Sequence, residues 1–244
     1  MKLMGFRKRF HRTGPLRRAV WWKSAGILAI ALTGFADPAP AAEGRTLPPP
    51  TLDPPGTTSP ETAVLAGGCF WGVQAVFQHT KGVLRATSGY AGGDAKTADY
   101  ETVSTGRTKH AEAVEVVFDP AVITYGQLLQ VFFSVALDPT QVNRQGPDVG
   151  PQYRSEIFTD DSRQQQIAAA YIAQIDAAKA FSRPIATKIG PLQKFYPAEA
   201  YHQDFATLHP SHPYIVFHDQ PKIAALRRDF PAAFRDKPVL LGKN

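Results

Sequence analysis

The chain has 244 residues, 43% of them hydrophobic, which suits one globular domain with a real core plus extensions. Its net charge of +6 is concentrated at the start: residues 1–41 carry eight Lys/Arg and one acid, so losing them takes the remainder to −1. That balance leaves no basic footprint for nucleic acid, and the single cysteine, Cys69, excludes a disulfide within the chain.

Residues 1–41 hold a basic run, "MKLMGFRKRFHRTGPLRRAVWWK", a short apolar run, "SAGILAIALTGFA", and "DPAPAA", with an A-x-A-like cleavage site at Ala39-Pro40-Ala41. The apolar run falls short of the ~20 residues a spanning helix needs. A removed secretory signal is therefore expected rather than a membrane anchor, with export across the inner membrane to the periplasm and no membrane insertion after cleavage. Arg17-Arg18 leaves the general secretory and twin-arginine routes both open. Residues 42–60 are Pro/Thr-rich with few large apolar residues and read as an extended, solvated linker without packed structure. The folded domain is expected over 61–235, with a tail over 236–244.

Within the domain, "TAVLAG" reads as a buried strand, and "CFWGVQAVFQHT" places Phe70, Val73 and Phe77 on one helical face. "GVLRATSGYAGG" is a strand followed by a Gly-rich loop, and "HAEAVEVVFDP" is a strand stopped by Asp119-Pro120. "TYGQLLQVFFSVAL" is helical, with Thr124 as N-cap, then "QYRSEIFT" a strand, "DSRQQQIAAAYIAQIDAAKAF" a helix and "IATKIGP" a last strand. The order predicts an α/β (α+β) fold, a ferredoxin-like split-βαβ mixed sheet with packed helices. A loop-rich C-terminal extension follows from about Phe195, with short helices near Glu199–Ala206 and over "PKIAALRRDF".

Cys69 falls where the first strand gives way to the first helix. There the unpaired N–H groups and the helix dipole favour an anion, so a lowered thiol pKa is expected. Gly67 and Gly68 leave the backbone open to an incoming molecule. These features favour a nucleophile over an inert buried thiol. Phe70 and Trp71 follow it; two adjacent large rings on a helix cannot both be hidden easily, so one can wall a small uncharged group such as a methyl, or both can be core. Period-2 alternation puts Glu112 on the apolar face of its strand with Val114, Val116 and Phe118. Burial would raise its pKa and make it a proton donor near neutral pH; an edge position or an ion pair with Arg107 or Lys109 is the alternative. Asp138 ends a helix and can cap a turn, "NRQGPDVGPQYRS" suits a binding loop, and His202 is expected on the surface.

Taken together, "GGCFWG", "SGYAGG", "DYETV", "HAEAVEVVFDP", "LLQVFF", "DPTQVNRQGPDVGPQYRS" and "FYPAEAYHQDF" resemble the A-type peptide methionine sulfoxide reductases over about residues 62–209. The resemblance implies that Cys69 attacks the sulfoxide sulfur, with Gly68, Phe70 and Trp71 binding substrate and the two rings holding its S-methyl group. It further implies that Glu112 protonates the sulfoxide oxygen, that Tyr100 and Tyr153 offer it hydroxyls, and that Asp138 shapes the pocket. No bound cofactor or metal is implied. The product is a sulfenic acid on Cys69. Two departures stand out: no resolving cysteine follows Cys69, and Leu137 stands where the family usually has His. Recycling therefore calls for an external thiol reductant, thioredoxin-like or of the glutaredoxin/glutathione type. The expected partners are that reductant and the oxidised proteins, peptides or free methionine sulfoxide it serves, and the enzyme is expected to be a monomer. The rival readings are another thiol enzyme, such as a peroxidase or peptidase, and a non-cycling module that binds oxidised methionine.

Overall fold

The computed structural model describes residues 45–242; the expected leader and its cleavage site lie outside them. In chain order the elements are β1 (Glu61–Gly67), α1 (Phe70–Gln78), β2 (Val83–Ala91), α2 (Tyr100–Ser104), β3 (Ala111–Phe118) and α3 (Tyr125–Val131). There follow a short hairpin, β4 (Arg144–Gln145) and β5 (Asp148–Val149), then β6 (Ser155–Thr159), α4 (Ser162–Ala177) and β7 (Lys188–Pro191). The C-terminal part adds β8 (Phe195–Pro197), α5 (Phe205–Leu208) and α6 (Gln220–Asp229).

Six strands form one sheet in the order β7-β6-β1-β3-β2-β8. Its central four, β6-β1-β3-β2, are antiparallel throughout, and α1 and α3 supply the two crossovers of the expected split-βαβ arrangement. The edge strand β7 runs parallel to β6, reached through α4, which makes the sheet mixed. The other edge, β8, pairs antiparallel with β2 and was not expected from the sequence; three residues are too few to show a period.

Alternation along the strands decides which layer is thick. Ala63 and Leu65 of β1 and Val114, Val116 and Phe118 of β3 join Phe70, Val73 and Phe77 of α1 and Leu128 and Leu129 of α3 in the main core. The opposite face carries the small side chains Val64, Ala66, Ala91, Ala111 and Ala113 around Phe158, with Leu192 and Phe195 packed against them in a thinner layer. Local signals hold the helices in place: Thr124 and Gln127 form a complete capping box on α3, and Asp161 accepts the Gln164 N–H at 2.6 Å to cap α4.

One expectation needs correction. The segment from Arg45 through the prolines is anchored to the domain rather than free in solvent, although most of its side chains stay exposed. Leu47 is buried, its carbonyl accepts from Gln130 Nε2 at 2.7 Å, and the Pro48 and Pro49 carbonyls accept from Tyr171 and Gln174 at 2.9 Å each. Asp53 accepts the Gly126 N–H at 3.0 Å and the Thr124 hydroxyl, bracing the start of α3. The C-terminal extension carries the short helices expected of it: α5, α6 and the π-helical turn Ile215–Asp219 pack against the side of α1 facing away from the sheet. This explains why Gln74 and Gln78 of α1 are buried, bonded to Gln203 at 2.9 Å and Asp204 at 2.6 Å. Among the described residues no helix is long and apolar enough to cross a membrane.

Candidate active site

The first strand stops at Gly67, and Gly68, at φ +92°, turns the chain so that Cys69 becomes the N-cap of α1. Both glycines are needed for reasons other than access. A Cβ on Gly67 would lie 2.9 Å from the Phe132 ring, and one on Gly68 would lie 2.4 Å from Gln145 Cβ. The open approach expected over these residues is thus filled by the chain's own side chains.

The Trp71 backbone N–H favours the Cys69 anion from the helix start, although the Cys69 side chain makes no capping hydrogen bond. Burial nonetheless outweighs that donor, and the charges of Glu112 and Asp219 add to it; the thiol is raised well above its ordinary value, not lowered as the sequence suggests. Position at a helix N-terminus predicts activation only where water or a cation also reaches the sulfur.

Glu112 is where alternation puts it, buried at 2% exposure beneath the start of α1, where Oε2 accepts the Phe70 N–H at 3.0 Å. Its carboxyl bonds neither Arg107 nor Lys109; burial drives its pKa up to about 8 against the pull of the Phe70 N–H, with the charge of Asp148 adding to the rise. A carboxyl that keeps its proton at neutral pH lies beside the one thiol.

Tyr100 opens α2 and Tyr153 ends the 3-10 turn Pro151–Tyr153, and both are half-buried. Burial raises both phenols, and the charges of Glu112, Asp148 and Cys69 raise them further, so these groups lie within electrostatic reach of one another. Phe70 is fully buried, whereas Trp71 is part-exposed, as two adjacent rings required.

Asp138 is differently occupied. Its carboxyl accepts from Thr140 N at 2.9 Å, Thr140 Oγ1 at 2.7 Å and Gln141 Nε2 at 3.0 Å, with Arg183 3.7 Å away. Burial pushes Asp138 up, but these bonds prevail and hold it below the usual carboxylate range. Its link to Cys69 runs through Gln145, whose amide bonds the Asp138 N–H at 3.1 Å and carbonyl at 2.6 Å while its stem lies over Gly68. Leu137 is buried against Gly67 in the main core, an apolar place with no polar partner to replace.

Besides Glu112, the acidic group whose charge reaches both tyrosines is Asp148, in β5, a polar residue of the expected binding loop with no sequence signal of its own. Burial raises its pKa, and the hydroxyl of Tyr214 donates to it. Tyr214 and Asp219 come from the C-terminal cover. Asp219 is wholly buried, pairs with Lys222 at 3.2 Å, and lies so close to α1 that a Cβ on Gly72 would be 2.1 Å from its Oδ1.

His202 is buried at 3% exposure, not on the surface. Its Nδ1 accepts the Trp71 indole N–H at 3.2 Å, and its ring centroid lies 5.0 Å from Phe70 and 4.5 Å from Tyr100. Burial lowers its pKa, in keeping with a neutral ring whose Nδ1 is free to accept. Trp71 stacks on Phe205 at 3.9 Å and meets Tyr214 edge-on at 5.8 Å. The signal for this aromatic wall was present as the density of rings and histidines in "YHQDFATLHPSHPYIVFH". Among the described residues no group of three His, Cys, Asp or Glu is placed to hold a metal.

Residues 61–233 match the family profile described as peptide methionine sulfoxide reductase. The chain is 59% identical over 190 residues to peptide methionine sulfoxide reductase MsrA 2 of Mesorhizobium japonicum, covering 78% of this chain and 97% of that protein. Among solved structures it is similar to Mxr1 of Saccharomyces cerevisiae in its reduced form, at 30% identity and a TM-score of 0.59, covering 69% of this chain and 96% of that one. It is also similar to methionine sulfoxide reductase A of Corynebacterium diphtheriae, at 35% identity and a TM-score of 0.54 over 70% and 89% of the two chains.

Proposed function

Because the chain belongs to the peptide methionine sulfoxide reductase family, we propose that it reduces methionine sulfoxide, of S configuration at sulfur, to methionine. The substrates are oxidised proteins and peptides and the free amino acid. One observation carries the reading: the only thiol in the sequence and a carboxyl still protonated at neutral pH meet at the start of α1, walled by Phe70 and Trp71.

The chemistry follows from that pairing. With Oε2 of Glu112 held by the Phe70 N–H, Oε1 presents the acid proton to the sulfoxide oxygen. Cys69 Sγ attacks the sulfoxide sulfur while its own proton passes to Glu112, so the raised thiol pKa is overcome by exchange within the site rather than by prior ionisation. With a second proton from Glu112 the oxygen leaves the methionine sulfur as water. A water then attacks Cys69 Sγ and returns its proton to Glu112, the new sulfur–sulfur bond breaks, its electron pair departs with methionine, and Cys69 is left as a sulfenic acid. Tyr100 and Tyr153, kept as phenols by burial, donate to the oxygen as charge develops on it. Phe70 and Trp71 take the S-methyl group, and Gly68 lets the chain turn into this geometry. Asp138 acts on the site at one remove, by fixing Gln145 above Gly68.

With no second cysteine in the sequence, an external dithiol of thioredoxin type completes the cycle. Its first thiol displaces water from the sulfenic acid to form a mixed disulfide, and its second releases Cys69 as the thiol. The basic and apolar runs of residues 1–41 support export to the periplasm as the place of work.

The test is to offer the R and S sulfoxides separately, without reductant, and to trap the product with dimedone. The expected result is methionine from the S form alone and a dimedone adduct at Cys69 by mass spectrometry, both lost in Cys69→Ser. Methionine formed at an undiminished rate by Cys69→Ser would overturn the mechanism.

A further inference from the structure

The carboxyl of Glu199, in the turn after β8, reaches two tyrosines at once. Oε2 accepts from the Tyr90 hydroxyl at 2.8 Å, and Oε1 accepts the backbone N–H of Tyr100 at 2.9 Å. Tyr100 is the first residue of α2, a five-residue helix too short to hold itself in water. Its N-cap, Asp99, already spends its side chain on the Thr102 N–H at 2.9 Å, so the Tyr100 N–H has no partner within the helix and takes Glu199 instead. Tyr90 is wholly buried, stands opposite Glu112 in the β2–β3 register, and has its ring 5.9 Å from Phe70. The backbone of Glu199 also caps the 3-10 turn that carries His202 beside the Tyr100 ring.

We propose that Glu199 is a positioning residue: its carboxylate clamps the start of α2 to strand β2 and thereby sets the Tyr100 hydroxyl toward the sulfoxide oxygen. The proposal rests on the reading of Tyr100 given above and deepens it. Burial pushes the pKa of Glu199 up, but the bonds from the Tyr100 backbone, its own backbone and Tyr90 prevail and hold it below the usual carboxylate range. An ionised acceptor of this kind makes the stronger, charge-assisted bonds. No other hydrogen bond joins the Tyr100 backbone N–H to β2 or to the turn after β8, so the carboxylate is the specific tie between them among the described residues.

A double-mutant cycle tests it, with Glu199→Gln made in the wild type and in Tyr100→Phe and single-turnover reduction of free methionine S-sulfoxide as readout. Gln keeps one acceptor oxygen and cannot satisfy both donors. The expected result is a fall of about tenfold in the rate at saturating sulfoxide for Glu199→Gln, with half-saturation within twofold of wild type. In the Tyr100→Phe background the same change should cost less than twofold, because no hydroxyl remains to be placed. An equal cost in both backgrounds, or no cost in either, overturns the proposal, as does an unchanged rate in Tyr100→Phe. If Glu199→Gln does not accumulate as folded protein, Glu199→Asp, which keeps the charge but withdraws it by one methylene, carries the same comparison. An inactive wild type would instead overturn the functional reading itself, so the two failures are distinguishable.

Discussion

Burial acts on Cys69 and Glu112 in the same direction with opposite consequences. It keeps a proton on Glu112, which a general acid needs, and on Cys69, which a nucleophile must lose. The sign of the pH dependence decides which group governs the rate. The competent form of Glu112 is the carboxylic acid, complete well below pH 8 and lost as pH rises through about 8. The second-order rate with methionine S-sulfoxide should therefore fall above pH 8. Glu112→Gln should remove that limb and lower the rate by ~10²–10⁴-fold, the range for losing an acid catalyst. A wild-type rate that climbs through pH 8, as ionisation of the thiol alone would give, contradicts this. At this scale Glu112 was legible because a carboxyl on the apolar parity of a strand violates a simple rule. Asp148 was not, because a polar residue in a polar loop violates nothing; only packing places it against Tyr214 and the site.

Elements that carry no period are the ones the sequence conceals. The prolines near Leu47 read as solvated because the segment holds few large apolar side chains, yet its carbonyls serve as acceptors for Gln130, Tyr171 and Gln174. The strap lies on α3 and on the π-helical turn Phe132–Ala136, whose Phe132 ring backs Gly67. Leu47→Ala should cost about 2–4 kcal/mol, as for other buried leucines. Asp53→Ala should cost about 1–2 kcal/mol through the lost brace on Thr124 and Gly126. Urea unfolding of the domain from residue 45 onward measures both, and unchanged midpoints would return the segment to the solvent. The C-terminal cover escapes notice for a related reason. Gln74 and Gln78 look like the solvent face of an amphipathic helix until Gln203 and Asp204 meet them.

For the molecule as a whole, one cysteine sets the accounting of electrons. Each sulfoxide reduced leaves one sulfenic acid, and the sequence offers no second thiol to condense with it. Without reductant the protein should release one equivalent of methionine and stop, whereas a dithiol such as dithiothreitol should restore continuous turnover. A second equivalent formed in the absence of thiol would require another oxidisable group. Beyond Met4 the chain has no methionine of its own, so none in the folded domain competes as a substrate.

The sequence by itself determined the strands and helices of the split-βαβ core and, through motifs shared with one family, the pairing of Cys69 with Glu112. Those follow from local period, from caps and from motifs that neighbouring residues spell out. Tertiary structure alone decided the ionisation of Cys69, because a helix start and a buried sulfur pull in opposite directions and only burial says which prevails. It also decided that His202 is interior, that the charge of Asp148 rather than that of Asp138 reaches the tyrosines, and that Glu199 joins two of them. Each of these depends on residues far apart in sequence being pressed together, which no period records.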